Sequence, residues 1–499
     1  MNKFTKIIYH AFSNKKLFYV IIGLLVVNAA WFALTVQYPM AFDENYHFGI
    51  IKIYSHQLLP FITSMPANSG AFGDLTRYDS YMFHYLMSFP YRLIAVFITQ
   101  EVAQIIILRF INIGLFVGGL FLYRRLFRRV NISEGLINFS LLMLVMIPVV
   151  PFLAATINYD NLIFLSVPLL VILTINCSDA ITKHKKIPAD SLILFLTVSG
   201  LASLVKYAFL PIFLAVILYL IIIFLRTPHK TSLLKTVQKS FVSLRLSVRI
   251  ILVIGIIISG GLFIERYGVN IVEYHSFEPD CAQVQPLSHC LQWGPWGRNY
   301  WIADDVANNN PDAYPALKDF TATWFDGMMN HLYFAINYTY DYLPPLQIPI
   351  LLASSIGLFG LILCIVFWRS IWGVDRRLLL FSLIVAIYIG TVFYANFAMY
   401  LRYRTALALN GRYLVMVFPL LFILVGLAYR RFLAVIFKSW AKYITAILAV
   451  ITILLALQGG GALTHLMRAQ DSWYWQNQTV INFNKSLKNI ISPFIISNR

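Results

Sequence analysis

The sequence predicts an all-helical membrane protein that crosses the bilayer many times, and two observations support this fold class. The first is composition, because 59% of the 499 residues are hydrophobic and only 12% are charged. A soluble core cannot bury that much apolar surface. The second is pattern, because apolar runs of about 17 to 25 residues recur along the chain, and each can cross the hydrocarbon as a helix.

Eleven of these runs are predicted to be transmembrane helices. They cover residues 17–37, 103–123, 136–156, 160–177, 190–206, 208–226, 250–264, 346–368, 378–397, 413–428 and 440–458. Residues 81–100 are also apolar, but Pro90 and Arg92 interrupt them, so we interpret this stretch as lying along the membrane surface. The chain is thus predicted to form one transmembrane domain over residues 1–458 and a short external tail over residues 459–499.

The basic residues predict the orientation of the helices. Lys and Arg outnumber Asp and Glu 39 to 21, and 24 of the 39 fall on one face when the predicted spans alternate sides. Of the acidic residues, only Glu134, Asp179, Asp190 and Asp375 fall on that face. Cytoplasmic loops are rich in Lys and Arg, so this face is predicted to be cytoplasmic, with the amino terminus inside and the carboxy terminus outside. The basic excess is explained by this orientation, and nucleic acid is not expected as a partner.

Two predicted external loops, the first over residues 38–102 and the fourth over residues 265–345, are too long to be simple turns. The fourth is rich in Trp and Tyr, which can stack on sugars or form an interfacial aromatic belt. It also contains Cys281 and Cys290 on the outer face, where a disulfide can persist. Two free thiols, or a zinc site that uses His275 or His289, are the alternatives.

The strongest candidate for a chemical site follows the first predicted helix directly. Residues 41–48 read Ala-Phe-Asp-Glu-Asn-Tyr-His-Phe and place Asp43, Glu44 and His47 at the outer surface. On a helix, Asp43 and His47 share a face, since they are four residues apart. Such carboxylates can take a proton from an acceptor hydroxyl or hold a divalent metal ion through oxygen.

The sequence resembles the GT-C superfamily of membrane glycosyltransferases, and within it the protein mannosyltransferases and aminoarabinose transferases. The resemblance rests on the acidic pair after the first helix, the long first loop and the many later spans. Three further segments are similar to that group: residues 81–86, Tyr-Met-Phe-His-Tyr-Leu, with Pro90 after them; residues 204–211, Leu-Val-Lys-Tyr-Ala-Phe-Leu-Pro; and residues 410–413, Asn-Gly-Arg-Tyr.

The resemblance implies that Asp43 is the catalytic base or organises the site, with Glu44 as its neighbour. It implies an external site in a bacterial cytoplasmic membrane that transfers a sugar from a polyprenyl-phosphate donor to a glycan, lipid or protein acceptor of the cell envelope. Asp160, in Asn-Tyr-Asp-Asn, is similar in position to a second acidic motif of metal-dependent members, so Mg²⁺ or Mn²⁺ on Asp43 and Asp160 is one possibility. A tight turn capped by its own side chains is the other interpretation of that motif.

A lipid-phosphate donor needs cations on the same face, and Arg matches phosphate oxygens well. Arg402, Arg404 and Arg412 cluster in one predicted outer loop, and Lys206 lies at a tight external hairpin. We expect these four residues, with His47, His84 and Asp160, to bind substrate; pairing with outer acids or lipid head groups is the alternative for the cations. A single displacement at the anomeric carbon predicts inversion.

A transporter or flippase of lipid-linked glycans is the rival function, because it also has many spans. Transporters usually carry ionisable groups near the middle of the membrane and contain internal repeats. In this sequence the spans are mostly uncharged apart from Arg109, and no repeat is visible. A polymerase or ligase of surface glycans shares the predicted chemistry but would need a long groove for its acceptor.

Overall fold

The computed structural model describes residues 3–228, 230–309, 317–333, 337–338, 341–342, 347–437, 443–451 apart from 445, 446 and 448, and 461–494. The first half of the chain contains the helices α1 Lys3–Ser13, α2 Leu17–Thr35, α3 Glu44–Tyr54, α4 Met82–Phe97, α5 Glu101–Arg129, α6 Glu134–Met146, α7 Val149–Ala155, α8 Asp160–His184, α9 Ala189–Val205, α10 Leu210–Arg226, α11 Lys230–Val242 and α12 Leu246–Phe263.

The second half continues with α13 Val269–Tyr274, α14 Cys281–Val284, α15 Leu287–Cys290, α16 Gly294–Asn309, α17 Leu317–Leu332, α18 Gln347–Val366, α19 Trp368–Val374, α20 Leu378–Tyr403, α21 Phe418–Ile436, α22 Gly461–Arg468 and α23 Gln478–Ile491. A π-helical turn, Ile264–Gly268, joins α12 to α13. In the described part of the chain the strands are the antiparallel pair β1 Asn337–Tyr338 and β2 Asp341–Tyr342. In the same described ranges, short 3₁₀ helices cover Gly70–Phe72, Tyr207–Phe209, Gly411–Leu414, Asp471–Trp473 and Ser492–Phe494.

Within the described residues, seven helices are long and apolar enough to cross a membrane, or nine if two bent helix pairs each count as one span. The seven are Leu17–Thr35, Glu101–Arg129, Asp160–Lys183, Tyr207–Arg226, Leu246–Tyr274, Leu378–Tyr403 and Phe418–Ile436. The all-helical, multi-pass architecture predicted from composition and pattern is therefore present.

The remaining predicted spans differ from straight helices for identifiable reasons. The third predicted span is broken between α6 and α7 by a 75° bend that includes Pro148, because proline cannot continue the backbone hydrogen bonds of a helix. The eighth bends by 79° between α18 and α19, and the fifth, α9, is a shorter apolar helix. Most of the eleventh, 440–458, lies outside the described residues. The surface stretch 81–100 forms α4, whose Leu93, Val96 and Phe97 are exposed.

Charged side chains from three separate segments of the chain meet at one end of the helix bundle. Glu134 binds both Arg124 and Arg128, and Asp179 binds Arg129, Lys183 and Arg377. Arg377 also pairs with Asp375. All of these residues come from segments that the basic-residue count predicts to lie on one face.

The two long loops and the C-terminal segment meet at the other end. Residues 70–77 of the first long loop contact residues 265–293 of the second through Arg77–Glu265, Arg266 to the Thr76 carbonyl, and Gln285 to Asp74. The segment after α22 pairs with the end of α2 through the backbone, where Gln37 donates to Trp473 and Trp475 donates to Thr35. This end contains the site described next.

Candidate active site

Asp43 lies in the connection that follows α2, directly before α3. Phe42 and Asp43 have positive φ angles of 72° and 65°, in the left-handed region that residues other than glycine rarely adopt. The Asp43 side chain is 60% exposed, and its Oδ2 accepts a hydrogen bond from Arg412 Nη2 at 3.0 Å. Strained backbone that presents a polar side chain is common at functional sites, because the surrounding structure holds it there.

Arg412 reaches Asp43 from the short 3₁₀ helix before α21. Asn410 caps this helix with its side chain, and Gly411 allows close packing, since a Cβ at that position would overlap the Met328 carbonyl oxygen. The Arg412 side chain is only 5% exposed, and its guanidinium carbon lies 4.6 Å from the Phe42 ring centre. Its Nε and Nη1 are buried and have no hydrogen-bond partner among the described residues.

A second ion pair lies close to the first. Lys206 Nζ donates to Asp160 Oδ1 at 2.6 Å, and both side chains are buried. The Lys206 ammonium lies 4.5 Å from the ring centre of Tyr159 and 4.9 Å from that of Tyr413, while the Arg412 guanidinium lies 5.3 Å from the same Tyr413 ring. One aromatic ring thus contacts both cations and joins the two ion pairs into a single site.

His47 and His84 form a pair beside these ions. His47 is one helical turn after Asp43 and donates its backbone N–H to the Asp43 carbonyl at 3.0 Å, while its Nδ1 lies 2.9 Å from His84 Nε2. Burial lowers the pKa of His84 to about 3. Burial, then the charges of His84, Arg412 and Lys206, hold the pKa of His47 well below its usual range. Both imidazoles are therefore neutral near pH 7, and one can donate a hydrogen bond to the other.

Glu44 has an environment opposite to that of Asp43. It is fully buried, and Arg109 of α5 donates to both carboxylate oxygens, at 2.8 Å from Nε and 2.7 Å from Nη2. The backbone N–H groups of Met40 and Ile157 donate to the same carboxylate. This arrangement leaves Glu44 closed to a substrate, and it fixes the connection that holds Asp43.

The structure brings together Asp43, His47, His84, Asp160, Lys206 and Arg412, all of which the sequence singled out. Arg402 and Arg404 lie at the C-terminal end of α20, where Arg402 is exposed over the Tyr403 ring and Arg404 ends the helix with a positive φ of 53°. Tyr159 and Tyr413 were not predicted from the sequence as site residues. The sequence signal for them was their position directly beside Asp160 and Arg412, in the segments 158–161 and 410–413.

A metal ion does not fit the donor set of this site. The Asp43 carboxylate faces Arg412 and the Asp160 carboxylate faces Lys206, so each candidate ligand already has a cation beside it. No group of three or more His, Cys, Asp or Glu side chains within the described ranges is arranged to hold a metal ion. The positive charge of the site comes from the side chains of Arg412 and Lys206.

The second long loop closes over this end of the protein. Its Trp293 stacks on Tyr46 of α3, with ring centres 5.8 Å apart and planes 21° apart, and Tyr46 contacts both His47 and His84. Cys281 and Cys290, just before Trp293, form a disulfide with their Cα atoms 5.8 Å apart. The loop therefore reaches the histidine pair through one stacked aromatic contact.

Comparison with solved structures finds similarity to oligosaccharyltransferases from Archaeoglobus fulgidus. No protein-family model matches the sequence, and no curated protein matches it. The chain is similar to the archaeal oligosaccharyltransferase AglB from Archaeoglobus fulgidus, solved with an inhibitory peptide and a dolichol-phosphate, with 12% identity over 95% of this chain and 60% of that chain and a TM-score of 0.41. It is also similar to the Archaeoglobus fulgidus oligosaccharyltransferase tethered to an acceptor peptide, with 12% identity, 93% and 58% coverage, and a TM-score of 0.39. The chain thus spans about three fifths of the length of those structures.

Proposed function

We propose that this protein is an integral membrane glycosyltransferase that moves a sugar from a polyprenyl-phosphate donor to an acceptor on the outer face of the membrane. The observation that carries the proposal is the exposed Asp43 carboxylate beside the buried Arg412, whose Nε and Nη1 are unpaired among the described residues. A base and a phosphate-binding cation in direct contact are the two groups that this transfer requires.

In the proposed reaction, the acceptor hydroxyl attacks the anomeric carbon of the donor. A new carbon–oxygen bond forms, the bond from the anomeric carbon to the phosphate oxygen breaks, and the lipid phosphate leaves with the electron pair. The hydroxyl proton passes to Asp43, whose Oδ1 makes no hydrogen bond to a described residue. A single displacement of this kind inverts the configuration at the anomeric carbon.

Arg412 and Lys206 are proposed to bind the donor phosphate and stabilise the charge that develops on it. Both cations are almost fully buried, where an electrostatic interaction is stronger than in water. Tyr413 lies against both and keeps them on one side of the site. Asp160 orients Lys206 through their 2.6 Å contact, so it acts as a positioning residue.

The histidine pair and Glu44 are proposed to have supporting roles. Neutral His47 and His84 can exchange hydrogen bonds with sugar hydroxyls without competing with the cations for phosphate. Glu44 and Arg109 fix the connection between α2 and α3 from inside the protein. Asp43 lies in a surface connection and not within a membrane-crossing helix, which favours a transferase over a flippase.

The test is Asp43→Asn, which keeps the shape of the side chain and removes its charge and basicity. A deletion strain is complemented with wild type, Asp43→Asn or Asp304→Asn, and surface glycans and lipids are compared by mass spectrometry. Asp304 is an exposed aspartate of α16 and serves as the matched control. Loss of a general base lowers the rate by about 10² to 10⁴, so only Asp43→Asn should lose the modified product.

Membrane insertion and the melting temperature of each purified variant are the folding controls. A near wild-type product level with folded Asp43→Asn would refute the role of Asp43. A deletion strain with unchanged glycans and lipids would refute the transferase proposal itself.

A further inference from the structure

A cavity of about 440 Å³ lies at the end of the protein opposite the candidate active site. Its walls come from the connection between α5 and α6, from α19 and from the last turns of α21. The apolar side chains Ile132, Ile371, Val374 and Leu427 line it, together with Ser133 and Ser370. Arg430 and Arg431 also line the cavity, and both are exposed.

The position of the cavity follows from helix length. Arg109 of α5 pairs with Glu44 at the active-site end, and α5 ends at Arg129, 20 residues further along the same helix and close to the lining residue Asn131. At 1.5 Å per residue this distance is about 30 Å, which matches the thickness of the hydrocarbon layer. The 79° bend between α18 and α19 lies beside the cavity, so α19 turns away from the direction of the span that precedes it.

The charges around the cavity are unbalanced. Two acids follow lining residues directly: Asp375 after Val374 and Glu134 after Ser133. Asp375 pairs with Arg377, and Glu134 pairs with Arg124 and Arg128. Arg430 and Arg431 have no ion-pair partner among the described residues, and the same holds for Arg376 next to Asp375. An apolar cavity edged by unpaired arginines is complementary to a molecule with an anionic head and an apolar chain.

We infer that this cavity binds an anionic phospholipid of the leaflet on that side, with its phosphate on Arg430 and Arg431 and an acyl chain against Ile371 and Leu427. Arg side chains bind phosphate oxygens through two parallel hydrogen bonds, and the two serine hydroxyls can add further ones. Trp368 and Trp372 of α19 fit this depth, because tryptophan favours the membrane interface. This site is separate from the proposed sugar transfer.

The experiment measures lipid retention by the purified full-length protein in detergent, using native mass spectrometry. Phosphatidylglycerol is titrated against phosphatidylcholine, and inorganic phosphate is added in a third series. The wild type is expected to retain phosphatidylglycerol in preference to phosphatidylcholine. Because each basic side chain near a bilayer surface contributes roughly a factor of five in affinity, Arg430→Gln/Arg431→Gln should bind phosphatidylglycerol about tenfold more weakly or worse.

The matched control is Lys185→Gln/Lys186→Gln, which removes the same charge from an exposed segment of the same predicted face outside the cavity lining. It should retain the wild-type preference. Ser370→Trp, which fills the cavity and keeps both arginines, should also reduce binding. Equal retention by wild type and Arg430→Gln/Arg431→Gln would overturn the inference. So would competition by inorganic phosphate as effective as that of the lipid, since the apolar walls would then have no role.

Discussion

At the scale of single residues, the two adjacent carboxylates after α2 have separate environments. Asp43 is 60% exposed and contacts one guanidinium nitrogen, whereas Glu44 is fully buried and receives four hydrogen bonds. Asp43 precedes α3 in a left-handed backbone conformation and Glu44 is the first residue of the helix, so the backbone turns between them and directs one side chain outward and the next one inward. Chemistry is therefore expected from Asp43 and structural support from Glu44.

Glu44→Gln is expected to destabilise the folded protein, because Glu44 has a structural role and is closed to the substrate. Removing one member of a buried ion pair leaves an uncompensated charge and costs about 3 to 5 kcal/mol in the free energy of unfolding. The melting temperature of the purified protein measures the effect. Glu101→Gln is the control, because Glu101 pairs with Lys52 at the surface, where both side chains are about half exposed. Equal melting temperatures for the two variants would contradict the structural role of Glu44.

Arg412→Lys is expected to weaken binding of a polyprenyl phosphate, the part of the donor that does not depend on the sugar. Lysine keeps the charge but loses the planar fork and the free Nε and Nη1 donors. The loss of a charged hydrogen bond corresponds to a roughly tenfold or larger decrease in affinity for polyprenyl phosphate. The rise in melting temperature on adding polyprenyl phosphate measures this affinity. The exposed Arg298→Lys on α16, which is not among the predicted site residues, is the control. Unchanged affinity in Arg412→Lys and Arg412→Ala would mean that another cation holds the phosphate.

At the scale of elements, the two long loops form one unit over the site. Gly73 shows how closely they pack, because its φ is +69° and a Cβ there would lie 2.6 Å from the Trp293 ring. His289, next to Cys290, contacts the Gly73 carbonyl at 3.1 Å. The disulfide segment is thus held directly against the first loop, and Trp293 follows it onto Tyr46.

Removal of the Cys281–Cys290 bridge is expected to loosen this contact. A disulfide that closes so short a loop contributes about 3 kcal/mol to stability by restricting the unfolded chain. In the Cys281→Ser/Cys290→Ser variant, the amide hydrogens of residues 70–77 and 281–297 should therefore exchange faster than in the wild type. Hydrogen exchange with mass spectrometry measures this change. Cys364→Ala is the control, because it removes a thiol that forms no disulfide. Wild-type exchange rates in the double variant, or ready alkylation of Cys281 and Cys290 without reduction, would contradict the prediction.

At the scale of the whole molecule, the segments that connect the helices lie at two opposite ends of a helix bundle. One end gathers the ion pairs of Glu134, Asp179 and Asp375, and the other gathers both long loops and the segment around Trp473. The candidate active site and the proposed lipid cavity lie at opposite ends. The excess of basic residues at the first end is the basis for its predicted cytoplasmic orientation.

A tag placed after Arg499 is expected to react with a membrane-impermeant reagent in intact spheroplasts. A tag inserted between Lys185 and Lys186 should react only after the membrane is opened, because this exposed segment lies in the predicted cytoplasmic set. Labelling of each tag in intact spheroplasts, with and without detergent, measures on which side of the membrane it lies. Protection of the first tag with labelling of the second in intact spheroplasts would reverse the orientation.

The sequence by itself determined the helical membrane architecture, because the length and apolarity of a span and the distribution of Lys and Arg are local properties of the chain. It also identified Asp43, Asp160, Lys206 and Arg412 as candidates, since charges beside apolar helices are unusual. The tertiary structure alone decided which charges pair. Glu44 meets Arg109 65 positions away, and Asp43 meets Arg412 369 positions away. Such partners depend on how distant helices pack, and spacing along the chain does not encode that packing.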